Sequence, residues 1–180
     1  PESAGANPGP VCYGLEGQLA LTDANLFLRR ILPKYFPKTF GPHNDQFLNE
    51  QKTHDRFHEI TEEINTSLGT SMSEEEVALG FIRIANETMA SAIKEISVNK
   101  GFDIRTHVLV SFGGAAAQHA CGIAKILNIK KILIHPMTGL FSAYGIAISD
   151  QTSYAIHTIL NPFTEKNIGG FESQLKQMGS

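Results

Sequence analysis

The chain has 180 residues, of which 42% are hydrophobic and 18% charged, with 15 basic against 18 acidic residues. That length buries a core of one domain or one and a half, and the net charge of −3 with no basic cluster argues against a nucleic-acid surface. The two cysteines, Cys12 and Cys121, make neither a metal spacing nor a disulfide framework, and no apolar run reaches the roughly 18 residues of a membrane span.

Residues 1–18 are rich in Gly and Pro and read as a loop. Pro1–Pro10 carries no Met and no targeting signal, so it reads as the interior of a longer chain, and the two cysteines outside any disulfide framework read as a reducing, cytoplasmic setting. Thr22 or Asp23 can cap a helix with Leu26, Phe27 and Ile31 on its apolar side, ended by Pro33. Residues 33–48, with Pro33, Pro37, Gly41 and Pro42, form an irregular connector. The spacing of Phe57, Ile60, Ile64 and Leu68 predicts an amphipathic helix over 49–68, stopped by Gly69. Its Glu59, Glu62 and Glu63 read as a solvated face rather than catalytic acids, and His54 and His58 as surface residues rather than zinc ligands. Ser73 and Glu76 make a capping box that opens a helix to about Val98. Its apolar residues cover more than one stripe, which predicts burial on two sides. Asn86 and Glu87 lie within it; an interhelical hydrogen bond is favoured over ligand contact.

His107–Val110 reads as a buried strand, Gly113-Gly114 as a joint, and Ala115–Leu127 as a helix. Strand, glycines and helix N-terminus together make a nucleotide-binding edge in many α/β proteins, although a glycine pair also serves plain turns. Lys131–Ile134 is a second strand, parallel to the first, followed by a turn at His135–Gly139 and a helix over Leu140–Ser149. Residues 163–180 read as a tail that frays. His119 has two open readings: an acid, base or phosphate contact near a ligand, or a helix-start histidine bonded to a neighbouring loop. No Gly-x-Ser-x-Gly elbow, Walker A loop or GxGxxG is present.

Several stretches together resemble the hydantoinase A / 5-oxoprolinase family: residues 1–14, Leu21–Leu26, Arg83–Met89, and Phe112–Ala115 with His119-Ala120. Tyr35–Lys38, Phe40–Pro42 and Gln118–Cys121 lean toward its 5-oxoprolinase branch. The resemblance implies an α/β chain, part of an actin-like (ribonuclease H-like) ATPase fold, with helices on a small mixed sheet that holds a parallel strand pair. Residues 1–160 would be a C-terminal part of the ATPase region: 1–48 loop and connector, 49–100 helical, 101–150 the nucleotide-binding unit, with 161–180 a tail. The family's phosphate-binding loops would lie upstream, leaving the isolated piece inactive. ATP and Mg²⁺ are the implied cofactors of the full protein, which hydrolyses the lactam 5-oxoproline to glutamate. Gly113, Gly114 and Ala115 would meet the nucleotide; Glu2, Ser3, Gly5 and Asn25 would line a substrate cleft; Asp23 and His119 are catalytic candidates, and no metal ligand is assigned. A hydantoinase B-type component and homo-oligomerisation are the implied partners, with no nucleic acid and no membrane. The alternatives are an N-methylhydantoinase, an acetone-carboxylase-type subunit, or a non-catalytic assembly module.

Overall fold

A computed structural model describes residues 3–154, 156, 158, 160 and 164–178. The chain divides into two units, Pro1–Phe141 and Ser142–Ser180. Among the described residues, no helix is long and apolar enough to cross a membrane.

The first unit is built along one long helix. Helices α1 (Leu21–Phe27), α2 (Glu50–Leu68) and α3 (Glu74–Asn99) come first. Strand β1 (Val108–Ser111), helix α4 (Ala117–Leu127) and strand β2 (Lys131–Ile134) follow. The α3 helix starts at the Ser73 capping box, in which Glu76 N–H donates to Ser73 Oγ and Ser73 N–H donates to the Glu76 carboxylate. Its N-terminal half carries Val77, Ala78 and Ile82 into a core with Ala24 and Phe27 of α1 and Phe57 of α2. Further along, Ala90 joins Ile123, Ala124 and Leu127 of α4 in a second core, against which Leu109 of β1 and Ile132 of β2 pack.

The two sets of neighbours therefore lie end to end along α3, not on opposite sides. The sequence predicts burial around the helix, but the buried residues Val77, Ala78, Ile82, Asn86 and Ala90 form one stripe. Ile84 and Ile96 remain 67% and 61% exposed, because nothing among the described residues covers that face.

Helix α1 is shorter than its pattern predicts. It ends at Phe27, well before Pro33, because Arg29 turns into the left-handed region at φ 55° and the N–H groups of Arg30 and Ile31 both donate to Asn25 O. Asp23 does not cap the helix as the N-cap residue. It stands at the third helical position, fully buried, and its carboxylate accepts from Cys12 N–H at 2.8 Å, Ala20 N–H at 2.8 Å and Val11 N–H at 3.2 Å. The Gly/Pro loop is thus pinned to α1 through a buried, charge-assisted set of bonds. Beside it, burial and the Asp23 charge push the Cys12 thiol far up, so this cysteine stays protonated.

β1 and β2 pair parallel, with Val108 opposite Lys131 and Ser111 opposite Ile134. The strand begins one residue later than predicted because His107 closes the preceding turn, its N–H donating to Ile104 O. Helix α4 begins two residues later than predicted, since Ala115 and Ala116 belong to the turn. In the second unit, the region predicted as a tail carries a helix, α6 (Ile168–Met178), with no buried residue. Helix α5 (Phe141–Ile148) begins at the last residue of the first unit and continues into the second, close to the predicted segment.

Gly17 is required by space. A Cβ there would stand 1.7 Å from Gly9 O, backbone against backbone. Gly17→Ala is expected to lower the unfolding free energy of the chain by about 1–3 kcal/mol, as overpacking does, read from urea denaturation. A variant that unfolds with the wild-type midpoint would show that the loop does not close in this way.

Candidate functional site

Parallel strands bring their C-terminal ends to the same edge, and ligands of open α/β sheets bind there. Here that edge is formed by the loop after Ser111 and the turn after Ile134. The two loops are laced together. Gly113 N–H donates to Thr138 O at 2.8 Å, and Thr138 Oγ1 donates to Ser111 O at 3.1 Å. Met137 N–H donates to His135 Nδ1 at 3.1 Å, and the rings of Phe112 and His135 both lie against Phe141.

The two glycines differ in kind. Gly113 has φ +88°, so its own backbone demands glycine. Gly114 has no such conformation, and a Cβ there would meet nothing within 4 Å. No contact within the described chain explains a glycine at 114. Beyond it, Ala115, Ala116 and Ala117 are exposed, and α4 starts without a side-chain cap. The N–H groups of Gly114, Ala115, Ala116 and Ala117 have no partner among the described residues. The corner is open backbone with unpaired donors at the positive end of a helix.

Helix α4 is held against α3 by one polar contact. His119 is 6% exposed and Asn86 8% exposed, and His119 Nδ1 lies 2.8 Å from Asn86 Oδ1. This is the interhelical bond expected for Asn86; the partner of His119 is a helix, not a loop. An amide oxygen only accepts, so Nδ1 carries the proton. The Asn86 amide also fills the space over Gly122, where a Cβ would stand 2.3 Å from Asn86 Nδ2. Burial first, and then the Arg30 guanidinium, push the His119 imidazole below the usual histidine range. Arg30 also donates to Gln118 O, which ties the turn after α1 to the first turn of α4.

The remaining candidates fall elsewhere. Asp23 and Asn25 lie within α1; Asn25 Nδ2 donates to Leu21 O at 2.9 Å, while its Oδ1 is enclosed without a partner. They reach the corner only indirectly, through the Asn25 carbonyl that shapes the Arg30 turn. Ser3 and Gly5 bond each other, Gly5 N–H to Ser3 Oγ at 3.2 Å, and no hydrogen bond links them to α1 or to the corner. Glu2 lies outside the described residues. Glu59 and Glu63 pair with Arg56, and Glu62 with His58, all on an exposed helix surface. Among the described residues, no group of three or more His, Cys, Asp or Glu is placed to hold a metal ion. Arg30 and Thr138 were not legible as site residues, since each acts through a long-range backbone contact. Gly122 did leave a signal: glycine inside a helix marks close approach.

This arrangement belongs to a known class. The Hydantoinase/oxoprolinase family model matches residues 1–155, and the chain belongs to that family. It is 46% identical over 182 residues to the 5-oxoprolinase of Dictyostelium discoideum, an alignment that covers 99% of this chain and 14% of that protein. Among solved structures it is similar to the ATP-dependent caprolactamase of Pseudomonas jessenii, with TM-score 0.71 and 31% identity, covering 99% of this chain and 25% of that one. It is also similar to the acetone carboxylase solved nucleotide-free in a study of ATP-dependent acetone carboxylation, with TM-score 0.66 and 26% identity, covering 83% and 20%. The chain therefore spans a small part of the length of each of these relatives.

The low proton affinity of folded His119 has a measurable consequence. In the unfolded chain a histidine takes its proton near pH 6.5; in the folded chain it does so only at lower pH. Its contribution to stability is thus complete above the unfolded value and is lost as pH falls below it. Unfolding free energies measured by urea titration from pH 8 to pH 5 are expected to fall less steeply in His119→Asn than in wild type. Equal slopes would contradict a buried neutral imidazole.

Proposed function

We propose that this chain is part of the ATPase region of an ATP-dependent 5-oxoprolinase and that its Gly113–Gly114 corner receives the adenosine end of ATP. The observation that carries the reading is Gly114, a glycine that neither φ nor packing accounts for, beside four unpaired N–H groups at the end of parallel strands. The absence of a side chain leaves room for a flat ligand to lie on the main chain. ATP-dependent relatives in the comparison support the choice of ligand. Open main chain at Gly114, where a Cβ would meet nothing within 4 Å, supports the sugar and base as occupants of the corner. The described residues offer no carboxylate cluster for Mg²⁺, so no step is assigned to the ion here.

In the full-length enzyme the chemistry follows from the inertness of an amide. Phosphorylation of the lactam oxygen of 5-oxoproline by ATP turns that oxygen into a leaving group. Water then adds at the activated carbon, the ring C–N bond breaks, and glutamate, ADP and phosphate result. The actin-like architecture, a hydantoinase B-type component and self-association belong to the same proposal. The part of this chain is to bind and orient: open backbone at Gly113–Ala117 for the nucleotide, with α4 fixed behind it by Asn86.

Gly114→Val in the full-length enzyme is the test. The side chain has open space and an unstrained backbone, so stability is expected to hold while the Kd for ATP rises at least about tenfold. Unchanged ATP affinity, measured by calorimetry, would reduce the joint to a turn.

A further inference from the structure

Strands β1 and β2 are the whole of a two-stranded parallel sheet, and parallel sheets occur almost only where both faces are covered. This one is covered on one face. Leu109 and Ile132 pack on the α4 core, while Val108 and Val110, pointing the other way, are 47% and 43% exposed. Leu133, in register with Val110, is exposed beside it. The edge of β1 is open as well. Among the described residues, the bond from Thr138 Oγ1 to Ser111 O is the one hydrogen bond of the β1 backbone outside its ladder with β2. A groove of about 350 Å³ lies at the start of β1. Ile96, Phe102, Ile104, Val108, Leu109 and Ile129 are among its lining residues, and no residue of β2 is. The two edges also differ in charge. β2 starts at Lys131, directly after Lys130, and lysine on an edge strand opposes pairing with another strand. β1 is Val-Leu-Val-Ser and carries no charge.

We propose that the open edge of β1 is paired by a β-strand from a part of the same polypeptide outside these 180 residues, with an apolar side chain of that strand seated in the groove, and that β2 is a true edge of the sheet. The occupant is a strand because of what β1 leaves unpaired. In a parallel ladder alternate residues turn their N–H and C=O away from the partner, so half of the β1 groups face outward. A helix laid on the sheet covers Val108 and Val110 but cannot satisfy that row; another strand satisfies it and brings side chains of its own to both faces. The groove lies on the β1 side alone, which favours the uncharged edge over the one that begins with lysine. The same polypeptide is the favoured source by length. The alignments take in 99% of this chain but 14% of the Dictyostelium relative and 25% of the caprolactamase chain. A tethered segment competes for the edge at a high effective concentration, ahead of any free partner. Of the reading above, this proposal uses only the clause that the chain is part of a longer protein; the nucleotide has no place in it.

The test is hydrogen exchange in the wild-type full-length protein, without nucleotide, read amide by amide. All four amides of Val108–Ser111 are expected to exchange at least about a hundredfold more slowly than an unstructured chain, because each has a partner on one side or the other. In Lys131–Ile134 only the amides that face β1 are expected to be slow, and the alternate ones to exchange within about tenfold of the unstructured rate. Alternating fast and slow amides in β1 overturn the proposal. Complete protection of β2 also overturns it, since the lysine-bearing edge would then be paired. Light scattering on the same samples identifies the source of the strand. Protection of β1 that persists in the monomer supports the same polypeptide; protection that vanishes as the protein dissociates on dilution belongs to a second copy and overturns the assignment. The intact mass of the native protein is measured alongside, and a mass no greater than the 19.7 kDa of this chain removes the donor and overturns it too. The nucleotide reading is decided apart from all of these, by ATP affinity in Gly114→Val.

Discussion

The 2.8 Å bond between Asn86 and His119 is the contact on which the rest of the structure turns. It lies on the seam where α3 meets α4, between two apolar cores that α3 carries end to end. Apolar packing of Ala90 against Ile123 and Leu127 presses the helices together but does not set their register. The polar pair does. A buried amide and imidazole that missed each other would each lose hydrogen bonds that water had supplied, at about 1–3 kcal/mol per group. Gly122 enforces the same register from the other side, since the Asn86 amide occupies the volume its side chain would need.

Fixing α4 fixes what lies before it. The helix starts at Ala117, and the turn from Ser111 to Ala116 must reach it from the end of β1. Thr138 braces that turn through two hydrogen bonds from the neighbouring strand end. Arg30 braces the first helical turn from the α1 side. The result is a stretch of main chain held from three directions and left bare on the fourth. Gly113 is there because the backbone needs it; Gly114 has no such internal reason. A rigid frame around an open, donor-rich backbone is what a preorganised binding edge requires.

Much of this was legible in local sequence. The Ser73 capping box, the stop at Gly69 and the strand at Lys131–Ile134 follow from nearest-neighbour chemistry, and the structure places them where the pattern does. The glycine joint and the parallel pair were also readable, because both depend on short stretches of chain. What escaped depends on partners far away in sequence. Asp23 reads as a cap by its residue type, but its carboxylate serves amides eleven and twelve residues upstream as well as Ala20. Arg29 gives no warning of a left-handed turn, so α1 ends earlier than its apolar spacing suggests. The apolar residues of α3 predict burial, but periodicity records affinity for a core and not whether a neighbour is present, as exposed Ile84 and Ile96 show. His119 and Asn86 were each visible as polar residues in apolar helices; that they meet is a tertiary fact.

The most direct measurement is a structure of the full-length protein with a non-hydrolysable ATP analogue. Ribose and base are expected to lie over Gly113 and Gly114, with the Asn86–His119 bond intact behind them. A nucleotide bound elsewhere, with this corner filled by side chains from another part of the protein, would contradict it.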